Sequence, residues 1–274
     1  MKRACILTVA GSDPSGGAGI QADIKTITVL GGFAMTVITA LTFQNTCSVE
    51  GFYAVPPEYV AWQFDVVAKD LPIDALKTGM LPTGATVEVV AEKIRNYKIE
   101  KVVVDPVRMA KRGEALMDEE AFASLKKNLL PLAFVVTPNV PEAENLTGLV
   151  ISNLEDMKRA AFIIHQMGAR NVVVKGGHLE HPLETALDLL YDGRGFHELV
   201  APRIKTKNTH GTGCTYASAL AYALAVGKGV YEAAHFAKCY VTEAIRNALS
   251  CGMGQGPLDH LSPLWDGGVL RKFD

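Results

Sequence analysis

The chain has 274 residues, of which 49% are hydrophobic, and a formal net charge of −2. That much apolar material is enough for a sizeable core in one large domain or two modest ones. The near-neutral charge, without a clustered basic stripe, argues against a nucleic-acid binder. No apolar stretch approaches the ~18 residues that span a bilayer.

In chain order, Met1-Lys2-Arg3 followed by Ala4 to Ala10 has the outline of a signal peptide. The apolar run stops at Gly11-Ser12-Asp13-Pro14, so a strand from Cys5 to Ala10 leading into a loop is the simpler reading. Ile20, Ile24, Ile27 and Leu30 recur near helical spacing. Met35 to Thr42 reads as a strand, Glu58 to Lys69 as a helix, Ala75 to Met80 as a strand and Thr86 to Tyr97 as a helix. Lys101-Val102-Val103-Val104-Asp105 is a buried strand that ends in an acid. A helix is expected over Glu119 to Leu129, a strand over Ala133 to Val136, a helix over Asn153 to Gln166 and a strand over Asn171 to Lys175. Glu184 to Tyr191 and Gly195 to Val200, joined across Asp192-Gly193-Arg194, have the pattern of a hairpin. Two helices follow, Thr212 to Val226 and Val230 to Ala248, separated by Gly227-Lys228-Gly229.

This alternation predicts a mostly parallel sheet with helices on both faces, a three-layer αβα domain spanning residues 1–274. There is no internal repeat and no long linker. In such sheets ligands bind at the carboxyl ends of the strands. The loops expected there are Gly11 to Gly19, Gln44-Asn45-Thr46, Gly79-Met80, the segment after Asp105, Thr137-Pro138-Asn139 and Lys175-Gly176-Gly177-His178.

The five cysteines, Cys5, Cys47, Cys214, Cys239 and Cys251, are widely spaced. Neither Cys-x-x-Cys nor His-Glu-x-x-His occurs, so no structural zinc site is indicated. A chain this large does not need a disulfide framework, and the cysteines point to a reducing compartment, the cytoplasm.

The glycine-rich first loop lacks the terminal Gly-Lys-Ser/Thr of a P-loop. Gly17-Ala18-Gly19-Ile20-Gln21-Ala22 matches the dinucleotide fingerprint only in part, and the second strand ends at Gln44-Asn45 where that fold needs an acid. These glycines either build a tight turn or let a ligand approach the backbone. The strongest feature is Asn208-Thr209-His210-Gly211-Thr212-Gly213-Cys214-Thr215 before a small-residue helix. A helix start offers unpaired N–H groups and partial positive charge. The amides of Gly211, Thr212 and Gly213 can therefore cradle a phosphoryl group. The same field is expected to favour a Cys214 thiolate, able to take a proton from a hydroxyl. A lone cysteine is otherwise an inert buried thiol. Glu142 is a candidate Mg²⁺ ligand, or simply a first-turn helix acid. Lys175 either reaches a phosphate or is solvated.

Ala10 to Asp23 (AGSDPSGGAGIQAD), with Thr137-Pro138-Asn139 and Glu142, Lys175-Gly176-Gly177-His178 and Gly211-Thr212-Gly213-Cys214, resembles the hydroxymethylpyrimidine/phosphomethylpyrimidine kinase family of thiamin biosynthesis, in the ribokinase-like superfamily. The resemblance runs from about Ala4 to Leu261. It implies two ATP- and Mg²⁺-dependent steps: phosphorylation of 4-amino-5-hydroxymethyl-2-methylpyrimidine, then of its monophosphate. It places Gly11, Asp23, Gln44, Met80 and Val107 around the pyrimidine, Lys175, Thr212 and Gly213 on the ATP-phosphate side, and Glu142 on the metal side. Cys214 falls where sugar kinases of the superfamily carry an aspartate base. Arg108 and Arg112 stand where the family more often has methionine and serine; these cations either aid a phosphorylated substrate or face solvent. Gln255 stands where histidine is common. The expected partner is a small pyrimidine, with no nucleic acid and no membrane, and the expected assembly is a homodimer. The rival functions are a pyridoxal or pyridoxine kinase, a sugar kinase and a catalytically silent pyrimidine-binding protein.

Overall fold

The computed structural model describes residues 3–110, 113–177 and 184–262, together with the backbone of 265–266 and 269–270. Lys111, Arg112 and His178 lie outside the described residues. The elements in order are β1 (Cys5–Ser12), α1 (Gly19–Val29), β2 (Phe33–Gln44), β3 (Val49–Ala54), α2 (Pro57–Asp70), β4 (Ala75–Thr78), α3 (Gly84–Asn96), β5 (Val102–Val104) and α4 (Glu119–Ser124). They continue with β6 (Val135–Val136), α5 (Val140–Thr147), α6 (Leu154–Gln166), β7 (Val172–Lys175), β8 (Thr185–Tyr191), β9 (Phe196–Pro202), α7 (Thr212–Ala225), α8 (Val230–Arg246), β10 (Trp265–Asp266) and β11 (Val269–Leu270).

Nine strands form one sheet in the order β3-β2-β1-β4-β5-β6-β7-β8-β9. The run from β2 to β7 is parallel; β3 at one edge and the β8–β9 hairpin at the other are antiparallel to their neighbours. Alternation of side chains divides the core into two. Val102 and Val104 face α2, α3, α4, α5 and α6, whereas Val103 faces α1, α7 and α8. In β7, Val172 and Val174 divide from Val173 in the same way. A strand with both faces covered has no place for polar residues, which is why these segments read as unbroken valine runs. Each fully buried large apolar side chain contributes roughly 1.5–3 kcal/mol.

The helix starts follow local chemistry. Thr83, Asp118, Asn139 and Asn153 cap α3, α4, α5 and α6, each accepting a backbone N–H of the first turn. The expected helix over Glu119 to Leu129 is α-helical only to Ser124; Leu125–Leu129 widens to a π-turn and Leu130–Leu132 tightens to a 3₁₀ turn. Pro131 lacks the N–H that the carbonyl four residues back requires, so the regular ladder cannot continue. The strand expected from Ala133 is shorter, Val135–Val136. Elements that were not expected are β3, whose alternation Gly51 interrupts, α5, whose sequence is too short to display a helical period, and the short pair β10 and β11. The hairpin turn is held by Asp192 Oδ1, which accepts from Arg194 N at 2.9 Å and Gly195 N at 2.8 Å. Among the described residues no helix is long and apolar enough to cross a membrane.

Candidate active site

Chain order leaves β1 toward β2 on one side and returns to β4 on the other, so the loops at their carboxyl ends diverge and open a crevice. Two cavities, of about 210 and 420 Å³, lie along it and meet at Asn139, Glu142, Lys175, Thr212 and Gly213. Gly11, Gln44, Met80, Val107 and Cys214 line the smaller one. The larger is walled by Pro202, Ile204, Val241 and Ile245, with Arg108, Arg203, Lys238 and Asp188 among its charged groups.

The smaller cavity is shaped by close backbone approach. A Cβ on Gly11 would lie 3.1 Å from Met80 Sδ, so glycine leaves the space above Met80 open. Gly211 has φ +83°, and a Cβ there would collide with the Gly17 carbonyl oxygen. The first loop and the start of α7 therefore touch backbone to backbone. Asp13 fastens the contact. Its Oδ1 accepts from Ser15 N at 2.8 Å and Ser15 Oγ at 2.7 Å. Its Oδ2 accepts from Gly17 N at 3.1 Å and Ala18 N at 2.7 Å and lies 2.8 Å from His210 Nε2. Burial pushes the Asp13 carboxyl up, but hydrogen bonds from His210, Gln44 and Ser15, with the charge of His210, hold it well below the usual carboxylate range.

At the junction of the cavities, Lys175 Nζ lies 2.9 Å from Asp105 Oδ1, which also accepts from Thr137 Oγ1 at 3.0 Å. A Cβ placed on Gly213 would lie 3.4 Å from that ammonium and 3.5 Å from Asp105 Oδ2, so the cation stands against the first turn of α7. Lys175 is pushed down by burial but raised further by Asp105 and Glu142, and it stays charged. Gly211 caps α7 without a side-chain acceptor; Thr212 N donates to Thr209 O at 3.4 Å, and the N–H groups that follow in the first turn face an anion site. Glu142 is a first-turn helix acid: its Oε2 accepts from Asn139 N at 2.8 Å in a capping box. It also lines both cavities. Burial pushes its carboxyl up to about 7, with Lys175 opposing and Asp105 adding to the rise.

Two expectations are corrected. Asp23 does not line the pyrimidine-side cavity; it is fully buried beneath it, paired with Lys77. The Cys214 thiol is not held as a thiolate: burial pushes it up to about 11, Lys77 opposes this, and Asp23 and Asp105 add to it. The helix-start field acts on a half-buried sulfur, and desolvation outweighs it. Arg108 is engaged with protein. It donates to Asn145 Oδ1 at 3.0 Å, pairs with Glu119 and lies 4.3 Å over the Phe122 ring, at the edge of the larger cavity.

Sequence reasoning passed over Asp105, Asp13, His210, Lys238 and Asp188 as site residues. Asp105 had a signal, an acid ending a valine strand. Lys238 had none: it lies in the middle of an amphipathic helix, yet its Nζ is buried 2.8 Å from Asp188 Oδ2, whose other oxygen accepts from Gly176 N at 3.0 Å.

Gly211→Ala is expected to lose about 1–2 kcal/mol from backbone strain alone and to lower turnover as the loops separate, read from denaturant melts and steady-state rates. Asp13→Asn is expected to destabilise the fold by about 1–3 kcal/mol at neutral pH, as a charged acceptor is lost. Because the folded Asp13 carboxyl lies below its unfolded value, its contribution is present at neutral pH and is lost as pH falls through the folded value. The gap between variant and wild type should therefore narrow in melts below about pH 4.

The model of the family described as "Phosphomethylpyrimidine kinase" matches residues 13–259. The hydroxymethylpyrimidine/phosphomethylpyrimidine kinase of Bacillus subtilis is 49% identical over 257 residues, covering 93% of this chain and 94% of that one. A thiamine biosynthesis bifunctional protein of Geobacter sulfurreducens is 53% identical over 259 residues, 94% of this chain but only 52% of that protein, so the chain spans about half its length. Among solved structures, the pyridoxal kinase of Staphylococcus aureus in complex with ADP superposes with a TM-score of 0.88 at 36% identity, over 96% of this chain and 95% of that one. With its three-layer, ribokinase-like architecture, the chain belongs to the phosphomethylpyrimidine kinase family.

Proposed function

We propose that this chain is an ATP-dependent kinase that phosphorylates 4-amino-5-hydroxymethyl-2-methylpyrimidine and then its monophosphate, yielding the diphosphate used to build thiamin. The observation that carries the proposal is the meeting of two cavities at Lys175 and the open helix start of α7, with Cys214 on the smaller side. The larger cavity, with apolar walls and a cationic mouth, suits a nucleotide, and the Staphylococcus aureus relative holds ADP. The smaller one suits a flat heterocycle, with the Gln44 amide matched to a ring nitrogen beside an exocyclic amine. The whole chain acts as one kinase domain and works in the cytoplasm.

Glu142 fits a divalent cation: a half-buried carboxylate that desolvation raises to about 7 gains from a cation beside it. Glu142 lines both cavities and would hold a Mg²⁺ that comes with the nucleotide. Such an ion neutralises charge on the phosphates. Lys175 and the amides of Thr212 and Gly213 hold the transferred group in line. The acceptor hydroxyl lies toward Cys214. As the thiolate, the minor form at neutral pH, its sulfur takes the hydroxyl proton while the oxygen forms its bond to phosphorus and ADP leaves with the electron pair of the broken bond.

The test is to incubate the chain with ATP and Mg²⁺ and, separately, the pyrimidine alcohol, its monophosphate and pyridoxal, and to identify the products by mass. Mono- and diphosphorylated pyrimidine are expected; pyridoxal phosphate as the sole product overturns the assignment in favour of the pyridoxal kinase reading. Cys214→Ala should lower kcat for the alcohol by about 10²–10⁴-fold with little change in nucleotide affinity. The loss should be smaller for the monophosphate, whose attacking oxygen is already ionised. Wild-type kcat/KM for the alcohol should rise with pH up to the limit of stability, because the reactive thiolate becomes more abundant as pH approaches about 11.

We further propose a homodimer through the edge ribbon. Leu41 and Phe43 of β2, two residues apart, and Tyr53 of β3, directly opposite Leu41, are exposed by 45%, 56% and 56% on one face. A second copy of that stripe would bury it. Phe43→Lys with Tyr53→Glu should convert a dimer to a monomer by light scattering; an unchanged mass overturns this interface.

A further inference from the structure

Asp23 and Lys77 form an ion pair in which both side chains have no exposure at all. Lys77 Nζ lies 3.0 and 2.9 Å from the two Asp23 oxygens. Asp23 also accepts from Thr8 Oγ1 at 2.5 Å and Ser218 Oγ at 2.7 Å. The four groups come from β1, α1, β4 and α7. A buried pair of this kind contributes little net stability compared with apolar residues of equal volume, because both charges must leave water. Its position suggests another use.

Ser218 lies four residues beyond Cys214 on α7, so the two side chains share a helix face, one turn apart. Ser218 touches Asp23; Cys214 lies one turn nearer the cavity. The Lys77 ammonium lies 2.9 Å from where a Cβ on Gly79 would sit, and Gly79 and Cys214 both line the smaller cavity. The cation is therefore set just behind the wall of the cavity that the thiol faces.

We propose that Lys77 is a positioning residue for Cys214: its buried ammonium, fixed in place by Asp23, stabilises negative charge on the sulfur and sets how readily the thiol gives up its proton. This rests on the reading of Cys214 as proton acceptor. The charges that act on the sulfur are those of Lys77 from β4, Asp23 from α1 and Asp105 at the end of β5, together with a backbone N–H from Gly19. Burial disfavours the thiolate; Lys77 and the Gly19 N–H favour it, and the two carboxylates oppose it. Asp23 thus has a mixed part: it anchors the cation and partly offsets its field.

The readout is the pH dependence of iodoacetamide alkylation at Cys214 in the full chain, followed by peptide-resolved mass spectrometry, which separates it from the other four cysteines. Lys77→Met should move the midpoint to higher pH, and Cys214 alkylation at pH 9 should slow by about tenfold for every pH unit the midpoint moves. Asp23→Asn should move it the other way and speed alkylation. Loosened packing, the alternative, hydrates the thiol and moves both variants in the same direction; that result, or a Lys77→Met rate within twofold of wild type, overturns the proposal. If Lys77→Met fails to fold because Asp23 is left unpaired, Asp23→Asn is compared with Asp23→Asn/Lys77→Gln. Both lack the carboxylate charge, and removing the cation must still slow alkylation; equal rates overturn the proposal. Undiminished turnover in Cys214→Ala would remove the base reading alone, leaving the Lys77 dependence of the titration to stand or fall separately.

Discussion

The first loop can serve as one wall of a catalytic crevice only because the Asp13 carboxylate gathers donors from both sides of it. Ser15, Gly17 and Ala18 from its own loop and His210 from the segment before α7 all converge on two oxygens. The chain enters this region from β1 and returns almost two hundred residues later, so nothing local fixes the distance between the two loops. Asp13 and the Gly17–Gly211 backbone contact fix it instead. Each requirement depends on the other. Glycines permit the approach, and the carboxylate supplies the attraction that ordering two glycine-rich loops demands. The space left over is the smaller cavity, and the open amides of α7 face its neighbour.

Charge is distributed along the crevice in a way that follows from burial. The cation nearest the helix start, Lys175, is matched by Asp105 and faces Glu142. Desolvation raises the Glu142 carboxyl to about 7 in spite of Lys175, so its ionised form is costly without a further cation beside it. Arriving phosphates would add to that cost unless a divalent ion came with them. The same group that caps α5 therefore ties the helix start to the demand for a metal, and the two roles that sequence suggests for Glu142 are compatible.

The layers of the fold were legible because they rest on periodicity. Valine runs, amphipathic helices and turn residues each signal through neighbours in sequence. The loops around the crevice were legible for a related reason, since parallel topology places strand ends together. What escaped had no local signal. Lys238 is one polar residue in a helix of mixed composition, and only the fold shows that it meets Asp188. Asp23 was expected at the pyrimidine because it closes a motif, but helix phase turns it inward to Lys77. The Cys214 thiolate was expected from a helix-start field that sequence can display, while the desolvation that opposes it depends on what packs around the sulfur. Short-range electrostatics can be read from a motif; burial cannot.

That last difference bears on why a thiol stands where sugar kinases of the superfamily carry an aspartate. A carboxylate at position 214 would meet the charges of Asp23 and Asp105 with Lys77 to balance them. It would also repel the second acceptor, which arrives already bearing a phosphate. A thiol pushed up to about 11 is neutral at rest, so it adds no charge to the site when the monophosphate binds. Under the proposed mechanism it still accepts a proton in the first step through its minor thiolate form, which the buried Lys77 would make accessible without neutralising the cavity. If Cys214 is the base proposed above, the alcohol needs a base and the phosphate needs the absence of an anion; a half-buried cysteine near a buried lysine meets both needs in one pocket, and an aspartate meets only the first.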